Sequence, residues 1–156
     1  MSKSAEVYVD GSFKDGIVGV GVVFKVDDEI RDFAFSLVSD KISAHRNVSG
    51  EIYAVMYAIF YAYKISIERL RIFHDYSGLA HWINGEWKAK TELTKLYRDF
   101  VKYFSSLINI EFVKVAAHKK DALNNRADRL AKEALDGKNA VMYFNEFTEF
   151  VSKFNN

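Results

Sequence analysis

Four acidic residues in this chain stand where carboxylates can converge. Asp10 follows the apolar run Val7-Tyr8-Val9, and Asp75 follows the run that starts at Leu70 and ends at His74. Both precede turn or helix-start residues. In an open α/β sheet, ligand sites gather beyond the carboxyl ends of parallel strands, so two strand-terminal Asp residues on neighbouring parallel strands would lie side by side there. Glu51 falls in the first turn of a helical run, and Asp128 in the first or second turn of another. Carboxylates packed this closely repel one another unless cations neutralise them. Two divalent ions held about 3.5–4 Å apart would resolve the repulsion and could clamp both oxygens of an in-line phosphodiester displacement. Taken singly, each residue has a plainer reading. A strand-end Asp is often a turn former or N-cap, and an acidic residue early in a helix complements the macrodipole. As a set of four at matching positions, the metal reading is the stronger.

Composition is consistent with that chemistry. The chain has no cysteine, so disulfides and thiolate metal sites are excluded and any ion must be held by oxygen or imidazole donors. That favours a hard cation, Mg²⁺ with Mn²⁺ as the alternative, over structural zinc. Formal net charge is only +1, from 22 Lys and Arg against 21 Asp and Glu. Nucleic-acid binding would then need a local basic stripe. At 156 residues and 49% hydrophobic, the chain suits one core. No run approaches the roughly 18 apolar residues of a membrane span, and the first ten residues have no signal-peptide core. The expectation is a cytoplasmic monomer without membrane contact.

The positioning elements follow from periodicity. Glu6–Val9 reads as a strand stopping at Asp10-Gly11-Ser12, Val18–Lys25 as a second strand and Ile30–Leu37 as a third, together an antiparallel meander. From Ser49 to Lys64 the period becomes helical, with Ile52, Val55, Met56, Ile59 and Phe60 on one face. Leu70–Phe73 is a fourth strand and Gly78–Asn84 a short helix. Thr91–Leu107 is a longer helix, Ile108–Val115 a fifth strand, and Asn124–Leu135 a helix stopped by Gly137. The expected fold is α/β, a five-stranded mixed sheet of three antiparallel then two parallel strands, flanked by helices. Residues 1–137 read as the domain. Residues 138–156 read as a Phe-rich extension, helical and packed on it.

The segments YVDGSF, NVSGEIYAVMYAI, RIFHDYSGLAHWI and AAHKKDALNNRADRLAKEAL resemble the four signature blocks of type 1 ribonuclease H, in the same order from Ala5 to about Leu135. That resemblance implies a ribonuclease H fold and a nuclease that hydrolyses the RNA strand of RNA–DNA hybrids, leaving 5′-phosphate and 3′-hydroxyl ends. It implies that Asp10, Glu51, Asp75 and Asp128 hold two ions. Asp10 would bridge both, Asp128 would complete the ion that activates water, and Glu51 and Asp75 would hold the ion near the leaving 3′ oxygen. His118 resembles the family's mobile-loop histidine, which assists proton movement or product release. Its place in a loop beside Lys119 and Lys120, and the near-neutral titration of imidazole, point independently to function.

The chain also departs from the family pattern. The loop after DGS is short, FKDGIVG, with no Asn. Asn47 keeps one minor-groove position, while Val48 stands where Asn or Gln is usual, and Tyr76 follows Asp75 where Ser is common. The basic handle of some members is absent as a separate insertion, and Asn84–Thr91, with Trp87, Lys88 and Lys90, is a reduced counterpart. Ser12, Asn47 and Ser49 are the candidate readers of the 2′-hydroxyl that separates RNA from DNA. Trp87, Lys88 and Lys119 are candidate substrate contacts, with Lys90, Lys114, Lys120 and Arg126 as a wider phosphate surface or simply a solvated face. Trp82 reads as core by its spacing from Leu79. His74 reads as packed in a strand, His81 as structural, and His45 as structural or near the substrate. Two other readings stand beside the first. One is a non-catalytic binding module docking through Trp87 and the Phe-rich tail; the other is a superfamily nuclease with a different nucleic-acid substrate.

Overall fold

The computed structural model of the chain describes residues 3–38, 46–75, 79, 91–116 and 121–155. Three strands open it: β1 (Ser4–Lys14), β2 (Ile17–Val26) and β3 (Glu29–Leu37). β1 and β2 pair antiparallel from Glu6↔Lys25 to Lys14↔Ile17 across the two-residue turn Asp15-Gly16. Both turn residues have positive φ (53° and 80°), the hairpin turn that Asp-Gly favours. β1 therefore runs through Asp10-Gly11-Ser12 instead of stopping there. Cross-strand pairing with Gly21, Val20 and Gly19 overrides the local turn preference.

Helix α1 (Arg46–Lys64) follows, then β4 (Arg69–His74), α2 (Glu92–Ser105), β5 (Asn109–Lys114), α3 (Ala122–Leu135) and α4 (Phe144–Ser152), which ends in a 3-10 turn, Lys153–Asn155. The sheet order is β3-β2-β1-β4-β5, with β4 parallel to β1 and β5 parallel to β4. This is the expected mixed sheet. The short helix expected over Gly78–Asn84 lies outside the described residues apart from Leu79, which is helical. Helices α2 and α3 both start on side-chain caps. Thr91 and Thr94 form a reciprocal capping box on α2, and Asp121 accepts from the Leu123 and Asn124 amides at the start of α3.

The pleat sorts the two faces of the sheet. Val18, Val20, Val22 and Phe24 on β2 and Val7 and Val9 on β1 join one large core with α1 and α2. Tyr8, Val23 and Ala127 form a smaller cluster with Phe73, Leu123 and Leu130 on the opposite face, under α3. On that face β2 carries Gly19 and Gly21. A Cβ on Gly21 would strike the Ala127 carbonyl oxygen, and one on Gly19 that of Ala131, so both glycines let α3 lie directly on the strand.

α1 is buried on nearly every side. Beyond its expected apolar face, Tyr53, Ala54, Tyr57, Ala58, Tyr61 and Ala62 are buried as well. Phe24, Phe33 and Phe35 of the sheet cover Tyr57 and Tyr61, and the C-terminal extension covers Tyr57 further. Ala140 pairs with Ala34 on β3, and the Tyr57 hydroxyl both donates to the Met142 carbonyl (2.8 Å) and accepts from its amide (2.9 Å). Phe147 then enters the core edge-on to Tyr57 (5.4 Å between centroids) and Phe60 (5.8 Å). Phe150 and Phe154 pack on Phe100. Among the described residues, no helix is long and apolar enough to cross a membrane.

Candidate active site

The β1–β4 register puts the first two carboxylates together. The ladder's last pair is Tyr8↔Phe73, with rings stacked at 4.6 Å, and two residues further along each strand stand Asp10 and Asp75. Neighbouring parallel strands lie about 4.8 Å apart, so this pairing alone brings the two side chains to one edge. The third carboxylate comes from the other side of the sheet. The N-terminal part of α1 seats against β1 and β2 through Gly50, whose absent Cβ leaves room for the Gly11 Cα and the Gly19 carbonyl. Glu51 is the next residue.

Asp10, Glu51 and Asp75 each offer an oxygen, and these three atoms lie within 4.8 Å of one another. Asp10 is 9% and Glu51 3% exposed. The Asp75 amide donates to Glu51 Oε1 (3.1 Å), and the Gly11 amide to Asp10 Oδ1 (2.8 Å). Tyr97 of α2 is fully buried nearby, and its hydroxyl donates to the Leu79 carbonyl (2.9 Å). Burial and then the negative charge of Glu51 push its pKa well above 10. Three hard oxygen donors within 4.8 Å of one another fit a divalent cation such as Mg²⁺ or Mn²⁺. A bound cation would relieve their mutual repulsion.

Asp128 is not in this group. It lies in the second turn of α3, is 40% exposed, and pairs with Lys132 one turn on (3.0 Å). Ser12 is partly exposed on β1, two residues past Asp10 on the same face. Ser49 is fully buried. Asn47 lies in the first turn of α1, and its side chain is outside the description, as are His118, Trp87, Lys88 and Lys119 with His45, Tyr76, His81, Trp82, Lys90 and Lys120. His74 is buried against Phe112, edge-to-face at 5.7 Å, in keeping with a packing role. Lys114 is exposed at the end of β5, in register with His74.

Arg126 takes a structural role that its sequence reading did not name. Arg126 donates through Nε (2.9 Å) and Nη2 (2.6 Å) to Asp32 Oδ2 on β3, so its guanidinium ties α3 to the sheet. The Phe-rich tail turns its rings inward onto α1 and α2. Tyr97 was not singled out by sequence, where it reads only as one more aromatic on the buried face of α2.

The sequence matches the family model for RNase H over residues 2–136. Comparison with curated protein sequences finds no significant match. Among solved structures, RNase H1 from the halophilic archaeon Halobacterium salinarum NRC-1 is similar at a TM-score of 0.71 and 20% identity, covering 86% of this chain and 99% of that one. The N-terminal RNase H domain of Rv2228c from Mycobacterium tuberculosis gives 0.71 and 19%, covering 87% and 96%. LC11-RNase H1, isolated from compost by a metagenomic approach and solved in complex with an RNA/DNA hybrid, gives 0.67 and 19%, covering 85% and 97%. At these identities the structures establish a shared fold, and the family match rests on the sequence.

Proposed function

The chain belongs to the RNase H family and is a ribonuclease H hydrolase; from that premise we propose that it cuts the RNA strand of RNA–DNA hybrids at the Asp10–Glu51–Asp75 cluster, leaving 5′-phosphate and 3′-hydroxyl ends. The observation that carries this reading is the convergence of three carboxylates from β1, α1 and β4 within 4.8 Å. The hybrid complex of LC11-RNase H1 supports the substrate class.

In this reading Asp10, Glu51 and Asp75 hold divalent cations, with Asp128 as the fourth donor. Bound as a pair, Mg²⁺ or Mn²⁺ would supply an acidified water and neutralise charge at the transferring phosphate. The protein's own part is to fix the donors. The Asp75 amide orients Glu51, the Gly11 amide orients Asp10, and burial of both acids keeps water from relaxing them. His118 assists proton movement or product release. Ser12, Asn47, Trp87, Lys88 and Lys119 contact the hybrid, and Lys114 at the same sheet end adds a phosphate partner. The enzyme acts as a cytoplasmic monomer, with residues 1–137 as the catalytic domain and 138–156 as a structural extension.

Non-catalytic docking through the Phe-rich tail is disfavoured, because those rings are spent in the core. The substitution of Val48 for Asn or Gln keeps a different nucleic-acid substrate as the alternative. Cleavage of a labelled hybrid, double-stranded RNA and single-stranded RNA of one sequence separates the two. The expected result is cuts in the hybrid alone, with products that are ligation-competent at their 5′ ends. Preferential cutting of double-stranded RNA would replace the hybrid assignment.

A further inference from the structure

We infer that Tyr97 is a positioning residue for the carboxylate cluster, holding the chain that follows Asp75 through its hydroxyl. The inference rests on the metal-holding role proposed above for Asp10, Glu51 and Asp75.

Tyr97 belongs to α2, which supplies none of the acids. It is fully buried, and its hydroxyl donates to the backbone carbonyl of Leu79 at 2.9 Å. Leu79 is itself fully buried and lies four residues past Asp75. The Asp75 amide in turn donates to Glu51 Oε1 at 3.1 Å. Thus the segment leaving β4 is held at two points, by Glu51 at Asp75 and by Tyr97 at Leu79. Asp75 and Leu79 are four residues apart in sequence. Groups that orient metal ligands commonly affect metal affinity by about 10–100-fold when removed, even though they touch no ion.

A matched control exists in the same molecule. Tyr57 is also fully buried with its hydroxyl on a backbone carbonyl, that of Met142 at 2.8 Å, but it lies at the C-terminal extension on the far part of α1. Tyr57→Phe and Tyr97→Phe therefore both remove a hydroxyl donated to a backbone carbonyl, and Tyr57→Phe also removes the acceptor of the Met142 amide. The test is Mn²⁺ binding to the wild type and both variants, by the loss of the free-ion paramagnetic resonance signal, alongside thermal unfolding. Both variants are expected to lower the melting temperature. Only Tyr97→Phe is expected to weaken Mn²⁺ binding, by about ten-fold. Unchanged Mn²⁺ affinity in Tyr97→Phe, or equal loss in Tyr57→Phe, would show that Tyr97 serves stability alone and would overturn the inference. Failure of the wild type itself to bind Mn²⁺ would instead bring down the metal-holding role of the cluster, and this inference with it.

Discussion

Gly50 seats against Gly11 backbone to backbone: a Cβ on Gly50 would stand 2.7 Å from the Gly11 Cα and 2.6 Å from the Gly19 carbonyl oxygen. This contact sets the approach of α1 to β1, and so the separation of Glu51 and Asp10, each the chain neighbour of one of the glycines. In an ordinary helix interior, Gly→Ala is favourable by about 1 kcal/mol. Here the added methyl meets backbone atoms that cannot rotate away, and overpacking of this kind costs about 1–3 kcal/mol. Gly50→Ala is therefore expected to lower the denaturation midpoint and to reduce hybrid cleavage. A variant more stable than the wild type would show that the helix can shift off the strand.

Arg126→Ala should act on stability and not on substrate. It removes two charge-assisted hydrogen bonds to Asp32, whose Oδ1 is already buried without a partner among the described residues. Loss of about 1–3 kcal/mol in urea unfolding is expected, with hybrid affinity unchanged. The reverse pattern, intact stability with weakened and less salt-sensitive hybrid binding, would make Arg126 a phosphate contact.

The extension is expected to be needed for the fold. Phe147 is 2% exposed and its ring contacts Phe35, Tyr57, Phe60 and Phe100. Phe147→Ala should destabilise by about 3–5 kcal/mol, measured by thermal or urea unfolding. A melting temperature within a degree of the wild type would mean that α4 does not hold the core closed.

How much of this could be read in the residues depends on distance along the chain. Asp10 and Asp75 were legible because each ends or extends an apolar run, and the parallel register then does the rest. The end of β1 was misread, since Asp10-Gly11-Ser12 carries turn chemistry that only pairing with β2 overrides. The Arg126–Asp32 tie joins residues 94 apart and depends on which face of α3 meets the sheet, so no local pattern reports it. The aromatic tail announced a helix, but an amphipathic face does not name its partner. The burial of Tyr57 outside the expected face of α1 shows only once Phe33, Phe35, Phe147 and Met142 are seen against it. The Asp128–Lys132 pair is visible as i,i+4 spacing, yet nothing in that spacing says that Asp128 stands outside the three-acid group.

Alkaline pH should weaken the fold in a defined window. Burial raises the Tyr57 pKa from 10.0 to about 12. A folded-state pKa above the unfolded value means the unfolded chain gives up its proton first, so this contribution is complete below pH 10 and lost as pH rises towards 12. Tyr97, also raised, adds in the same direction. Urea unfolding between pH 9 and 11 should show stability flat and then falling. Tyr57→Phe should fall less steeply over the same range, and an identical slope would remove Tyr57 as a cause.

The most direct test of the central claim is cleavage of a strand-labelled RNA–DNA hybrid with Mg²⁺ and with Mn²⁺, with Asp10→Asn in parallel. The three-carboxylate site predicts cuts confined to the RNA strand by the wild type, and loss of those cuts in a variant whose circular dichroism is unchanged. Full activity in Asp10→Asn would contradict the site, and a folded wild type that leaves the hybrid intact with either metal would contradict the activity.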